Sequence, residues 1–411
     1  MSGARIRTRP QGGEGARPDD AANSLATRFT LSRRLVRSEA GSAAVLAGLA
    51  AIWIFFEVQN SNFLTARNLT NLVLQTAVTA ILAMGVVLVL IAGEIDLSLG
   101  SVTGASAALL GVLLTNQHWP TGLAIVVTLL FGLLIGLVQG LVTTQIGVPS
   151  FIVTLGGFLA FAGVQLALIG GSGQIAIASP AVIAIANDYL APGVAWALGG
   201  AVIAGLVVTE AARRRAWSRA DVGDGSWWLA VARVAAWAGV LIAVTLIMNS
   251  YFGVPYLLVG LLALFLGLSW ATRRTGLGRH LYAVGGNAEA ARRAGISVGA
   301  IKVTVLAASG LLAALAAIVS ASRLYSVDAS TGGGTLLLEA IAAAVIGGTS
   351  LFGGHGRIYN ALLGALVIDS VENGLDLIGQ SESTKNIATG IILVLAVSLD
   401  ALSRRRARQR Q

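Results

Sequence analysis

Long apolar runs separated by short polar interruptions dominate the chain, and most of the runs are long enough to cross, or nearly cross, the hydrocarbon core of a bilayer. They fall at about 41–56, 72–92, 100–114, 123–142, 151–170 and 191–208, then at 228–248 and 254–270, then at 303–321, 336–346, 358–371 and 387–402. In lipid only a helix or a closed barrel satisfies its own backbone hydrogen bonds. The pattern predicts an all-α, polytopic transmembrane helical bundle of about 12 crossings, with a range of about 10 to 14 because some short runs read as half-helices or re-entrant pieces.

The polar interruptions set the organisation. Residues 1–40 are rich in Arg, Gly, Ala and Asp without apolar periodicity and read as a disordered basic cytoplasmic tail. No apolar core begins before Gly41, which disfavours a signal peptide. Residues 41–402 form one transmembrane domain, split by the polar stretch 212–225 into halves of about 41–211 and 226–402, with a polar loop at 273–300 and a basic cytoplasmic tail at 403–411. Arginines crowd before the first run, at 213–219, at 273–293 and at 404–410. An even number of runs separates each cluster from the next, so the positive-inside rule places all four clusters, and both termini, in the cytoplasm.

Composition narrows the class. Hydrophobic residues make up 55% of the chain and charged residues 11%, far below the roughly 25% of a soluble domain, so a soluble enzyme is excluded. The 51 glycines suit closely packed membrane helices. The net charge of +9 serves topology rather than nucleic-acid binding. There is no Cys, and the three His are scattered, so neither a thiolate site nor a zinc site is expected. A phosphate-binding loop needs Gly-Lys-Ser/Thr, yet the only lysines are Lys302 and Lys385, and neither follows a glycine. The glycine-rich stretch 347–356 follows an Ala-rich apolar run and reads as a break in a membrane helix. No catalytic residue is assigned, and any ATP that drives this protein is hydrolysed on another chain.

Two places carry candidate chemistry. Within 275–296, Asn287 can cap a short helix, Glu289 lies in its first turn, Gly295 can end it in a left-handed conformation, and Glu289 can pair with Arg293. The segment is either a solvated loop or a capped helix that docks onto a separate motor. Glu94, Asp96 and Ser98 lie between two apolar runs and are flanked by Gly93 and Gly100. They read either as an interfacial turn that caps the next helix or as an unwound polar break beside a translocation path, since charge at membrane depth needs a cavity or a partner. Glu339, Asp369, Glu372 and Asn373 offer helix–helix hydrogen bonds or solute contacts in the second half.

Four motifs resemble one family. Gly93-Glu-Ile-Asp-Leu-Ser-Leu-Gly-Ser101, Val148-Pro-Ser-Phe-Ile-Val-Thr-Leu-Gly-Gly157, Gly278-Arg-His-Leu-Tyr-Ala-Val-Gly-Gly-Asn287 with Glu289-Ala-Ala291, and Val345-Ile-Gly-Gly-Thr-Ser-Leu-Phe-Gly-Gly354 are similar to the permease subunits of ribose/xylose/galactose-type bacterial ABC importers, in the family's order. The resemblance implies a multi-pass protein of the bacterial cytoplasmic membrane that pairs with a second copy of itself. It also implies an ATPase with two nucleotide-binding domains, which binds the ATP and Mg, and an extracytoplasmic sugar-binding protein. It assigns Gly285, Gly286, Asn287, Glu289, Ala290, Ala291 and Gly295 to ATPase coupling, while Glu94, Asp96, Ser98 and Asn373 are expected on the path.

Glu94 and the extra material at about 171–254 look like the xylose permease branch. Relatives commonly carry arginine where this chain has Ala162, which leaves ribose, galactose, a nucleoside or a branched-chain amino acid as other cargoes. The rival class is an ion-coupled secondary transporter using Glu94, Asp96 or Glu339 as a carboxylate relay. Uptake by this chain alone under an ion gradient separates the two.

Overall fold

The computed structural model describes residues 45–219, 227–333 and 335–408. The expected tail at 1–40 and part of the interruption at 212–225 lie outside the described residues. Helices α1 (Val45–Gln59), α2 (Ala66–Ile91), α3 (Leu99–Gly111), α4 (Thr121–Leu141), α5 (Ser150–Ile169), α6 (Pro180–Asn187), α7 (Pro192–Arg219), α8 (Trp227–Asn249) and α9 (Tyr256–Arg274) come first. Then follow α10 (Gly276–Gly286), α11 (Ala288–Arg293), α12 (Val298–Leu324), α13 (Leu336–Ile346), α14 (Ile358–Leu377) and α15 (Glu382–Arg408).

Each apolar run overlaps a described helix, and the short helices α6, α10 and α11 are added between them. Against the expected twelve crossings, eight described helices (α2, α3 with its continuation to Asn116, α4, α5, α7 to α9 and α12) are long and apolar enough to cross a membrane. Helices α1 and α13 are apolar but shorter, and α14 carries Asp369, Glu372 and Asp376 along its length. Helix α15 runs on to Arg408. Among the described residues two antiparallel ladders interrupt the all-α pattern: β1 (Gln174–Ala176) pairs with β4 (Ser326–Asp328), and β2 (Tyr189–Leu190) pairs with β3 (Val254–Pro255). They satisfy backbone groups where the chain leaves its helices.

Burial separates hub from rim. The most apolar window of α2 is 94% buried and that of α12 72%, whereas α5, α7 and α8 bury 17%, 6% and 11%. Apolar helices that leave their surface uncovered suit lipid contact. The hub is closed by small residues: Gly132, Gly136 and Gly140, spaced by four along α4, lie against Gly310, Leu306 and Val303 of α12, with no room for a methyl group at any of the three. In lipid, association depends on such close packing because apolar burial between helices gains little.

The bundle has two faces. On one, Gly354 N donates to the Ile91 carbonyl (2.9 Å) and Tyr282 Oη to the Gly356 carbonyl (2.7 Å), so the end of α2, helix α10 and the loop between α13 and α14 are gathered together. The loop from α1 to α2 lies at the opposite end of the 26-residue α2, about 39 Å away at the helical rise. The β1/β4 ladder is also distal: β4 follows the far end of α12, and Thr115 Oγ1 beyond α3 donates to the Ala176 carbonyl (2.7 Å).

Candidate docking face and intramembrane break

The segment from α10 to α11 is built by local caps. Thr275 Oγ1 accepts from Gly278 N (3.3 Å) and starts α10. Asn287 ends α10 and starts α11, its Oδ1 accepting from Ala290 N (2.9 Å). Beyond α11, Gly295 takes φ 81°. Its amide donates to the Arg292 carbonyl (3.0 Å) and that of Ile296 to the Ala291 carbonyl (3.0 Å), a double closure that calls for glycine at the left-handed position. Glu289 pairs with both Arg292 (3.0 Å) and Arg293 (3.3 Å).

The two sides of the segment differ. Leu281, Val284 and Ala291 are buried against the bundle, whereas Gly286, Asn287, Glu289, Ala290 and Gly295 are exposed, Glu289 with 57% of its side chain free. The result is a small rigid projection with a charged and small-residue outer surface and an apolar root.

That root rests on two breaks in the helices. A methyl group on Gly285 would overlap the Ile91 carbonyl oxygen and stand 2.8 Å from Gly354 N; one on Gly353 would stand 2.8 Å from the Gly285 carbonyl oxygen and 3.0 Å from Gly93 Cα. Four glycine backbones, at 93, 285, 353 and 354, therefore meet beneath the projection. Gly93, at φ 79°, ends α2, and Gly353 and Gly354 lie in the break between α13 and α14.

From Gly93 the chain runs without helix to Leu99, and its side chains alternate. Glu94 forms an ion pair with Lys302 of α12. Asp96 Oδ2 accepts from Ser309 Oγ of α12 (2.6 Å), and its Oδ1 from Ser98 N (2.9 Å) and Ser98 Oγ (2.7 Å). Ser98 Oγ in turn accepts from Gln139 Nε2 of α4 (3.0 Å). Between these residues the amides of Ile95 and Leu97 donate to Ser150 Oγ (3.3 Å) and Thr154 Oγ1 (3.1 Å) of α5. Glu94, Asp96 and Ser98 are all buried. The first two turns of α3 beyond them are packed at Gly100 and Gly104 against Gly332, and Gly100 also against Leu337, so the start of α3 lies close to the start of α13.

Asn373 is not part of this group. Its Oδ1 accepts from Asn68 Nδ2 (2.7 Å) in the first turn of α2, at the opposite end from Glu94. Nearby, Thr79 Oγ1 donates to Asp369 Oδ1 (3.0 Å), and Glu339 is buried on α13. The sequence did not single out Lys302 as a partner, nor Ser309, Gln139, Ser150 and Thr154. A lysine one turn inside a largely apolar helix was the available signal.

A polytopic bundle with two helix breaks joined beneath an exposed capped projection on one face is the body of a membrane permease. The sequence profile described as branched-chain amino acid transport system / permease component matches residues 68–397, and the chain belongs to that family. It is 37% identical over 364 residues to the xylose transport system permease protein XylH of Escherichia coli (strain K12), covering 88% of this chain and 92% of that protein. To XylH of Haemophilus influenzae it is 35% identical over 365 residues, 88% and 96% of the two chains. To the ribose import permease protein RbsC of Escherichia coli (strain K12) it is 33% identical over 358 residues, 86% and 92%. No solved structure matches the chain. The chain is a multi-pass permease of the inner membrane.

Proposed function

We propose that this chain is the membrane-spanning subunit of an ATP-driven importer that carries a monosaccharide, xylose first among them, into the cell. The observation that carries the proposal is the projection of α10 and α11: exposed and rigidly capped outside, seated inside on both helix breaks. Relatives named for xylose transport and ribose import, matched over most of both chains, support the cargo class. A docked ATPase with two nucleotide-binding domains supplies the energy, binding ATP and Mg, and an extracytoplasmic sugar-binding protein delivers the solute. Two copies of the chain form the passage, and the face bearing α10 and α11 is cytoplasmic.

The chemistry asked of this chain is small. Gly285, Gly286, Asn287, Glu289, Ala290, Ala291 and Gly295 receive the motor's movement. The break at 93–98 shifts the helices around it, and the solute crosses without any covalent change. Selectivity for one sugar resides mainly in the binding protein, which fits a break whose carboxylates are occupied by protein donors.

The test is uptake by vesicles holding the permease and its ATPase, with xylose-loaded binding protein outside and ATP within. Xylose should accumulate, and ribose and galactose should compete in the order in which they bind the receptor. Glu289→Lys should insert normally yet lose at least about tenfold in uptake, within the usual span of coupling between two sites. Normal uptake by that variant would remove the docking role.

A further inference from the structure

The Glu94–Lys302 pair is placed where neither residue alone explains it. Lys302 lies one turn into α12, whose cap, Ser297, follows directly on the closure of α11 by Gly295 and Ile296. Glu94 follows Gly93, which with Gly353 and Gly354 packs beneath Gly285 of α10. The stretch at 93–98 is therefore linked to the projection at two points: at its start through Gly353, which meets both Gly285 of α10 and Gly93, and one residue later through the ion pair to α12, the helix that follows α11. Asp96, on the same side of the stretch, is held by Ser309, seven residues beyond Lys302 and so on the same face of α12.

We infer that the Glu94–Lys302 ion pair is a strut that passes the displacement of α10 and α11 to the 93–98 stretch, and through it to the start of α3 between α4, α5 and α13. Glu94 and Lys302 are then positioning residues, and Glu94 acts through Lys302 rather than on the solute. A charge pair suits this task. Near the membrane interior each charge is costly without the other, so the two stay joined while the elements carrying them move. At Gly93 itself the contacts are backbone against backbone, which resist approach; the hydrogen bonds from Gly354 to Ile91 and from Tyr282 to Gly356 hold the neighbouring backbone together, and the ion pair adds a link on the 93–98 stretch itself.

The inference rests on the reading of α10 and α11 as the docking segment, and its test is arranged so that the two can fail separately. Wild type, Glu94→Gln, Lys302→Met and the exchanged pair Glu94→Lys with Lys302→Glu are each assembled with the ATPase and the binding protein in vesicles. Three quantities are read: co-purification with the ATPase, ATP hydrolysis, and solute moved per ATP. In the single variants the complex should form and hydrolyse ATP, while solute moved per ATP falls about tenfold, the scale of coupling between distinct sites. The exchanged pair should recover most of that loss.

Single variants with an unchanged ratio overturn the strut, and so does an exchanged pair that inserts but fails to recover, which would instead make Glu94 a solute contact. If the singles do not fold, the exchanged pair decides alone: transport by it supports the strut, and insertion without transport overturns it. Failure of the docking reading shows elsewhere, as a wild-type chain that does not co-purify with the ATPase.

Discussion

Gly285 shows how tightly single residues constrain this protein. Its Cα lies against the Ile91 carbonyl and the Gly354 amide, so Gly285→Ala forces the root of the projection away from both breaks. Overpacking of this kind typically costs about 1–3 kcal/mol. The variant should unfold at a lower temperature in detergent and lose uptake, and an unchanged melt with unchanged uptake would show that the junction yields freely. Asp328 gives a residue-scale pH effect outside the spans. Hydrogen bonds from Ser330, then from Thr331, outweigh the opposing effect of burial and hold its carboxyl below the ordinary 3.8. The folded value being depressed, the turn at 328–331 gains stability that is present above 3.8 and lost as pH falls through the lower folded value. Amide exchange at Ser330 and Thr331 should be insensitive to pH from 7 to 5 once corrected for intrinsic rate. Protection should fall under stronger acid, and Asp328→Asn should abolish that acid step. The caps at Asn287 and Gly295 were legible in the sequence because cap and target lie within a few residues. The pairing of Glu94 with Lys302 was not, because its partners belong to different halves of the chain and meet only through the packing of α12.

Among the elements, α11 depends most on its ends. It has six residues, too few to persist by propensity alone, so its caps and its seat on the bundle decide its order. Asn287→Ala should cost α11 about 1 kcal/mol, seen as faster amide exchange over 288–293 and weaker co-purification with the ATPase, with Asn287→Asp restoring both. Equal exchange in wild type and the alanine variant would place the stability of α11 wholly in tertiary contacts. The seam of α4 and α12 sets a larger scale. Gly136→Leu introduces a side chain where backbone touches backbone, and it should prevent stable assembly in detergent rather than merely slow transport. Apolar runs made the long helices legible, because lipid demands continuous apolarity over a fixed length. Helix α10 and the two ladders were not legible: α10 is a mixed polar segment whose apolar stripe has meaning only against α2, α9 and α12, and strands of two or three residues carry no pattern of their own.

For the whole molecule, the arrangement is a bundle with a buried hub, a rim for lipid, and two helix breaks joined beneath one projection. The charge clusters carry the expectation of sidedness, and the break at 93–98 was visible as two carboxylates between glycines. Its inner contacts with α4, α5 and α12 needed three dimensions, and so did the separation of Asn373 from Glu94 by the length of α2. The central claim is that the chain does no energetic work of its own and opens only when moved through α10 and α11. The most direct measurement is solute accumulation by sealed vesicles containing this permease, with loaded binding protein outside, a proton or sodium gradient imposed, and the ATPase either present with ATP or omitted. Accumulation should require the ATPase and ATP and be indifferent to the gradient. Gradient-driven accumulation by the permease without its ATPase would contradict the account.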